Sequence, residues 1–209
     1  MSDAGFTVFI VDDDDRVLRA LSRLVIEAGF PTRSYSSAQA FLADHDPVVR
    51  GCAVLDVAMP GLDGFRLQRM LSADHICRPI IFITGRGDIP MSVRAMRDGA
   101  IDFLTKPVDA DDLLSAVERA RAVETDALRA RGEIELIEAN LASLTPRERQ
   151  VLPYVIAGRL NKQIAGTLGT VEKTIKVHRA RMMRKLGVRT VQDLVRLAEL
   201  VGIDPAEAA

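Results

Sequence analysis

Residues 51–60 read Gly-Cys-Ala-Val-Leu-Asp-Val-Ala-Met-Pro, with Gly61 next. The run Cys52, Ala53, Val54, Leu55 is apolar without alternation, the pattern of a short strand buried on both faces of a parallel sheet. It ends on one carboxylate, Asp56, after which Pro60 and Gly61 turn the chain. In a parallel α/β sheet, ligands gather outside the carboxyl ends of the strands. An acid at that point is placed for chemistry.

The same punctuation recurs on both sides. Residues 6–11 (FTVFIV) read as a strand running into Asp12, Asp13, Asp14 and Asp15. Residues 16–28 carry apolar side chains at 17, 18, 21, 24 and 25, a helical spacing that Gly29 closes. A short strand over 31–35 and a helix capped by Ser37 follow. Beyond Asp56 come a helix near 63–72, a strand over 80–83 stopping at Thr84, and a helix over 89–97 ended by Gly99. Residues 101–104 then lead to Thr105, Lys106 and Pro107, and Asp109 caps a helix with apolar positions 113, 114, 117 and 120. Five βα units within residues 1–123 predict a flavodoxin-like doubly wound (βα)5 sheet.

The strand ends collect Asp12, Asp13, Asp56, Thr84 and Lys106. Three carboxylates about 4 Å apart would repel by roughly 4 kcal/mol per pair at an effective dielectric near 20. Such a group needs a cation or raised pKa values. Hard oxygen ligands suit Mg²⁺, which would also neutralise an incoming phosphate. Asp56 is then the nucleophile that forms an aspartyl phosphate. Lys106 brings positive charge to a phosphoryl oxygen, and the Thr84 hydroxyl donates to it. Each residue alone means little; the signal is the ordered set, every member at the end of a strand.

The chain has 209 residues, 48% of them hydrophobic, and a formal charge of −1. That length predicts two domains. No apolar run is long enough to span a bilayer, and the first ten residues lack a basic signal-peptide region, so a cytoplasmic protein is expected. Cys52 and Cys77 suggest no disulfide framework. His45, His75 and His178 are scattered, with no cysteines at ligand spacing, so no zinc site is predicted. Residues 1–123 hold 18 acidic and 14 basic residues, while 124–209 hold 11 and 14. Within 161–189, eight Lys and Arg face only Glu172, which points to a polyanionic partner there.

Residues 124–142 are rich in helix formers, broken only by Gly132, and read as a linker that is either helical or frayed. Leu144-Thr145-Pro146-Arg147-Glu148 is a helix start, with Thr145 as cap, Pro146 in the first turn and Glu148 completing a capping box. Residues 161–186 read helix–turn–helix about Gly169. At about 100° per residue, Val171, Ile175, His178, Met182 and Leu186 fall on one side of the second helix and are predicted buried. Lys173, Lys176, Val177, Ala180 and Arg184 fall opposite, with Arg181 flanking. A valine beside cations on an outward face suits a recognition helix, since valine can meet a thymine methyl while lysines reach phosphates or guanine edges. His178, on the apolar side, is read as packed and hydrogen-bonded.

Residues 1–123 resemble the receiver domain of a two-component response regulator in VDDD (11–14), LDVAMPGLDG (55–64) and FITGRGDIPMSVRAMRDGAIDFLTKP (82–107). Residues 143–209 resemble the LuxR/NarL-type helix-turn-helix domain in SLTPRERQVL, AGRLNKQIA and KTIKVHRARMMRKLGVRT. The whole resembles a FixJ-type regulator. The resemblance implies phosphorylation of Asp56 by a sensor histidine kinase or a small phosphodonor, and a cis Lys106–Pro107 bond. It implies Mg²⁺ held by Asp13, Asp56 and the Ala58 carbonyl, with Asp12 acting through water. Thr84 and Phe103 would form a switch that swings inward, and residues 89–104 a dimer surface once Asp56 is phosphorylated. Lys173, Thr174, Lys176 and Val177 would contact double-stranded DNA, and the last helix, near 191–200, would pair two such domains.

Some positions depart from that pattern. Phe103 lacks a hydroxyl, and Ala58 is small where many relatives carry a bulky or polar side chain. Pro153 falls inside a helix at a cost of roughly 3 kcal/mol or a kink, and Gly166 weakens the next helix by about 1 kcal/mol. Thr170 is placed to cap the recognition helix one residue early. Two other readings compete. One is a DNA-binding protein whose receiver is a passive scaffold. The other is a haloacid-dehalogenase-type phosphatase using Asp12, Asp14, Thr84, Lys106, Asp111 and Asp112.

Overall fold

The computed structural model describes residues 5–73, 78–85 and 89–206; His75 and Cys77 lie outside them. The chain divides into two compact units, 1–128 and 129–209. In the first, five parallel strands are β1 (Thr7–Val11), β2 (Thr32–Tyr35), β3 (Gly51–Asp56), β4 (Ile80–Thr84) and β5 (Asp102–Thr105), in the order β2-β1-β3-β4-β5. Helices α1 (Asp15–Glu27), α2 (Ala38–Asp44), α3 (Gly64–Ala73), α4 (Ile89–Arg97) and α5 (Ala110–Ala142) follow the strands in turn.

The unbroken apolar run of β3 is explained by its place at the centre of the sheet. Cys52 and Val54 join the core under α1 and α5, with Ile81, Ile83, Leu113 and Val117. Ala53 and Leu55 join the opposite core under α2, α3 and α4, with Phe9, Phe41, Leu67 and Phe82. Every β3 residue is buried, so both faces had to be apolar. Burial pushes the Cys52 thiol up to about 12, which leaves it inert. At the amino end of β3, a Cβ on Gly51 would lie 1.8 Å from the Thr7 carbonyl oxygen, so only glycine lets β1 approach.

Two long-range polar clusters tie the edges of this unit. Arg78, before β4, donates to His45 Nε2 (3.0 Å) and to the Asp46 and Val49 carbonyls, and its guanidinium lies 4.3 Å over the Phe9 ring. Arg50 grips Glu124 of α5 at 2.8 Å. Helix α5 then continues without a break through Gly132 to Ala142, so the stretch left open between helical and frayed is helical.

The second unit holds α6 (Pro146–Ile156), α7 (Asn161–Thr167), α8 (Glu172–Lys185) and α9 (Val191–Leu200). Their shared core contains Val151, Leu152, Val155, Ile164, Ile175, Met182, Leu186 and Leu194. Helix α6 starts as its sequence predicts: the Thr145 side chain accepts from Glu148 N–H, and the Glu148 carboxylate accepts from Thr145 N–H. Lys185 adds a 2.7 Å hydrogen bond to that carboxylate. The Lys185 hydrogen bond and the Thr145 backbone N–H hold Glu148 down to about 2. Pro153 lies inside a helix that runs through it, and its carbonyl accepts from both Ala157 and Ala206 N–H.

Three expectations for α8 need correction. Val171 is not buried but 64% exposed, because it is the N-cap and its extended backbone (φ −99°, ψ 150°) leaves the helical path that the wheel assumed. Thr170 does not cap the helix; Val171 holds that place and makes no side-chain cap bond. His178 is packed, but its buried Nδ1 has no hydrogen-bond partner among the described residues.

Candidate functional site

The sheet order places the site. Chain order reverses beside β1, which pairs β2 on one side and β3 on the other, so the crevice opens at the carboxyl ends of β1 and β3. The register aligns Val11 with Leu55, which sets Asp12 and Asp56 side by side just beyond it. Both are buried, at 0% and 3% exposure. Lys106 follows β5 and reaches back between them, its Nζ 2.6 Å from Asp12 Oδ2 and 2.8 Å from Asp56 Oδ1. The Lys106–Pro107 bond at this corner is cis. Asp56 Oδ2 accepts from Ala58 N–H at 2.8 Å, so each carboxylate oxygen has a donor. On the other side Gly64 packs against the Asp56 backbone, where a Cβ would come within 2.5 Å of the Asp56 carbonyl oxygen.

Thr84 is buried at the end of β4, and its carbonyl accepts from Lys106 N–H at 2.7 Å. Phe103 on β5 is half-buried, its ring centroid 6.4 Å from that of Phe82. Asp13 and Ala58 are exposed at the mouth. Asp14 instead caps α1, accepting from Arg16 N–H. The fold therefore brings Asp12, Asp56 and Lys106 into direct contact and leaves Asp13 outside it.

Burial raises the Asp12 carboxyl above its ordinary pKa, against the pull of the Lys106 and Asp14 hydrogen bonds. Burial also works to lower Lys106, but its hydrogen bonds to Asp12 and Asp56 outweigh that and raise it. The ammonium thus supplies the cation that the sequence demanded for the two buried acids. Among the described residues, no three His, Cys, Asp or Glu side chains are grouped closely enough to hold a metal. The donors nevertheless suit a hard dication in kind. They are all oxygens, and Asp12, Asp13 and Asp56 outweigh the single charge of Lys106 by two.

In the second unit, Lys173, Lys176, Val177, Arg181 and Arg184 are exposed along α8, and Thr174 is half-buried at its start. Arg179 is turned toward Asn161 Oδ1 at 3.3 Å. Ile175, Met182 and Leu186 form the buried side. The exposed face is cationic, with valine set among the lysines. Sequence reasoning missed the buried Arg78 cluster and the Arg50–Glu124 clamp, because nothing local signals partners 33 or 74 residues apart.

A five-stranded doubly wound unit with buried acids and a lysine at its switch point, joined to a helix-turn-helix unit, defines a signal-receiving DNA-binding protein. A family profile described as "Response regulator receiver domain" matches residues 8–118, and one described as "Bacterial regulatory proteins, luxR family" matches residues 142–198. Response regulator protein TmoT of Ectopseudomonas mendocina is 46% identical over 199 residues, 95% of this chain and 90% of that one. Transcriptional regulatory protein FixJ of Bradyrhizobium diazoefficiens is 40% identical over 94% of this chain and 96% of its own. Among solved structures, response regulator StyR is similar at TM-score 0.81 and 47% identity, covering 94% of this chain and 99% of that one. Full-length FixJ from B. japonicum is similar at TM-score 0.58 and 40% identity, covering 95% and 98%. The chain belongs to the FixJ-type response regulators, transcriptional regulators with a receiver domain and a LuxR-type DNA-binding domain. Its partners are accordingly a histidine kinase and DNA, and its role is that of a regulator rather than a phosphatase. Among the described residues, no helix is long and apolar enough to cross a membrane.

Proposed function

We propose that Asp56 is the phosphoryl acceptor and that its phosphorylation drives dimerisation and promoter binding in the cytoplasm. The observation that carries this is the position of Asp56: at the carboxyl end of the central strand, buried, with Lys106 at 2.8 Å and Ala58 N–H at 2.8 Å. A carboxylate oxygen of Asp56 attacks phosphorus, a new O–P bond forms, and the bond to the donor imidazole or acetate breaks. Lys106 moves its ammonium from the carboxylate to a phosphoryl oxygen, and Thr84, at the end of the next strand, offers its hydroxyl to another. Asp13, Asp56 and the Ala58 carbonyl would hold Mg²⁺, with Asp12 acting through water; when bound, the ion offsets the charge of the phosphoryl group.

Withdrawal of Thr84 leaves room behind it into which Phe103 turns, and that rearrangement repacks α4 and β5. Helix α4 supports a dimer surface there, since Ile89, Val93 and Met96 are 80%, 44% and 49% exposed. Lys173, Thr174, Lys176, Val177, Arg181 and Arg184 meet the DNA, and a two-fold pair reads a palindromic site.

The test is binding to a site selected from random DNA, with and without acetyl phosphate and Mg²⁺, for wild type and Asp56→Asn. Phosphodonor should tighten wild-type binding and produce dimers while leaving the variant unchanged. Identical behaviour of the two proteins under every condition would make the receiver a passive scaffold.

A further inference from the structure

Val171 is an apolar side chain in a place that ordinarily calls for a polar one. It is the N-cap of α8, where Ser, Thr, Asp or Asn would accept from the open N–H groups of the first turn. Valine makes no such bond. The side chain does not compensate by burial, since it is 64% exposed, against 42% for Val177. The core beneath is filled by Ile175, Met182 and Leu186. The helix therefore gives up a cap and gains no packing.

Its location suggests what the side chain is for. In a helix-turn-helix unit, the first residues of the second helix meet base edges in the major groove, and the positive end of that helix lies close to phosphates. A branched hydrocarbon there can neither donate nor accept, and the one apolar feature of the groove is the 5-methyl group of thymine. Val171 precedes the exposed lysines Lys173 and Lys176 and the 42% exposed Val177 on the same helix.

We propose that Val171 is a specificity-determining residue that reads a thymine methyl at the leading end of α8, a second apolar contact beside that of Val177. The inference rests on the DNA-binding reading of α8 given above. Val171 stands at the N-terminal end of α8 and Val177 more than a turn further along it, so the two side chains would meet two different thymines.

The experiment replaces each thymine of the selected site in turn by deoxyuridine, which lacks only the methyl group, and measures binding by the full chain. Wild type should lose about fourfold in affinity at one thymine, the transfer value of one buried methyl. Val171→Ser should show no loss there, yet keep the loss at a second thymine, which Val177→Ala should abolish. A serine cap strengthens the helix, so the variant should melt no lower than wild type; Val171→Ala, which stays uncapped, should give the same deoxyuridine profile. The inference is overturned if wild type is indifferent to every methyl, or if Val171→Ser keeps the same fourfold loss. Failure of wild type to select any sequence would overturn the DNA-binding reading itself, and the inference with it.

Discussion

Replacing Lys106 by methionine keeps much of the stem and removes the charge that two buried carboxylates share. The ammonium donates to Asp12 at 2.6 Å and to Asp56 at 2.8 Å, while those side chains are 0% and 4% exposed. Removing one partner of a buried ion pair costs about 3–5 kcal/mol, because the remaining charge is left without compensation. Lys106 is 23% exposed, so water partly fills its place, and a loss near the lower end, about 3 kcal/mol, follows. For a domain of this size that lowers the midpoint by on the order of 10 °C. The loss should depend on pH in a definite direction. Burial already raises Asp12 in the native protein, so its folded form takes up a proton more readily than the unfolded chain, and acid favours the fold. Without Lys106 the rise is larger, so the deficit should shrink as the pH falls. Thermal unfolding of the full chain at pH 7 and pH 5, wild type against Lys106→Met, measures both effects. A receiver transition within 2 °C of wild type at pH 7, or a deficit just as large at pH 5, would refute the reasoning (both limits set from the roughly 10 °C estimate).

Three further outcomes are expected. Ala58 is exposed beside Asp56, so Ala58→Arg should shield the acyl phosphate from water and lengthen its life several-fold; equal lifetimes in a dephosphorylation assay would remove Ala58 from that role. Glu148 is held at about 2 by Lys185 and Thr145, against 4.5 for the free group. A depressed carboxylate stabilises above its unfolded pKa and loses that contribution as pH falls toward 2, so Glu148→Gln should cost the second domain about 2 kcal/mol at pH 7 and progressively less in acid, read from denaturant titrations. His45 is lowered by burial and by the Arg78 guanidinium that donates to its Nε2. Its neutral form therefore stabilises above pH 6.5, the ordinary value of a free imidazole, and that stability is lost as pH falls through the folded value. His45→Gln should lack this acid-side loss in melting curves.

The sequence determined the strand ends by itself. A run such as residues 51–56 must be buried on both faces, and a parallel sheet puts the residues at the carboxyl ends of β1, β3, β4 and β5 along one edge. Asp12, Asp56, Thr84 and Lys106 were therefore legible before any coordinates. The start of α6 was legible for a similar reason: Thr145, Pro146 and Glu148 act over a few residues, and capping is a local interaction.

What the sequence left open depended on partners far along the chain or on where a regular path stops. Asp13 and Asp12 are adjacent and chemically alike, yet only Asp12 points into the crevice and meets Lys106, because side chains alternate as the chain leaves β1. The helical wheel put Val171 inside because it assumed a helix one residue too long. The cap, with its extended backbone, swings the side chain out. Arg78 could be read as a surface cation; only the folded chain sets it on the Phe9 ring and against His45, 33 residues away. Periodicity and punctuation are local and survive in one dimension. Which polar groups satisfy one another, and which apolar side chain is left exposed at a helix end, is decided when distant segments compete for the same space.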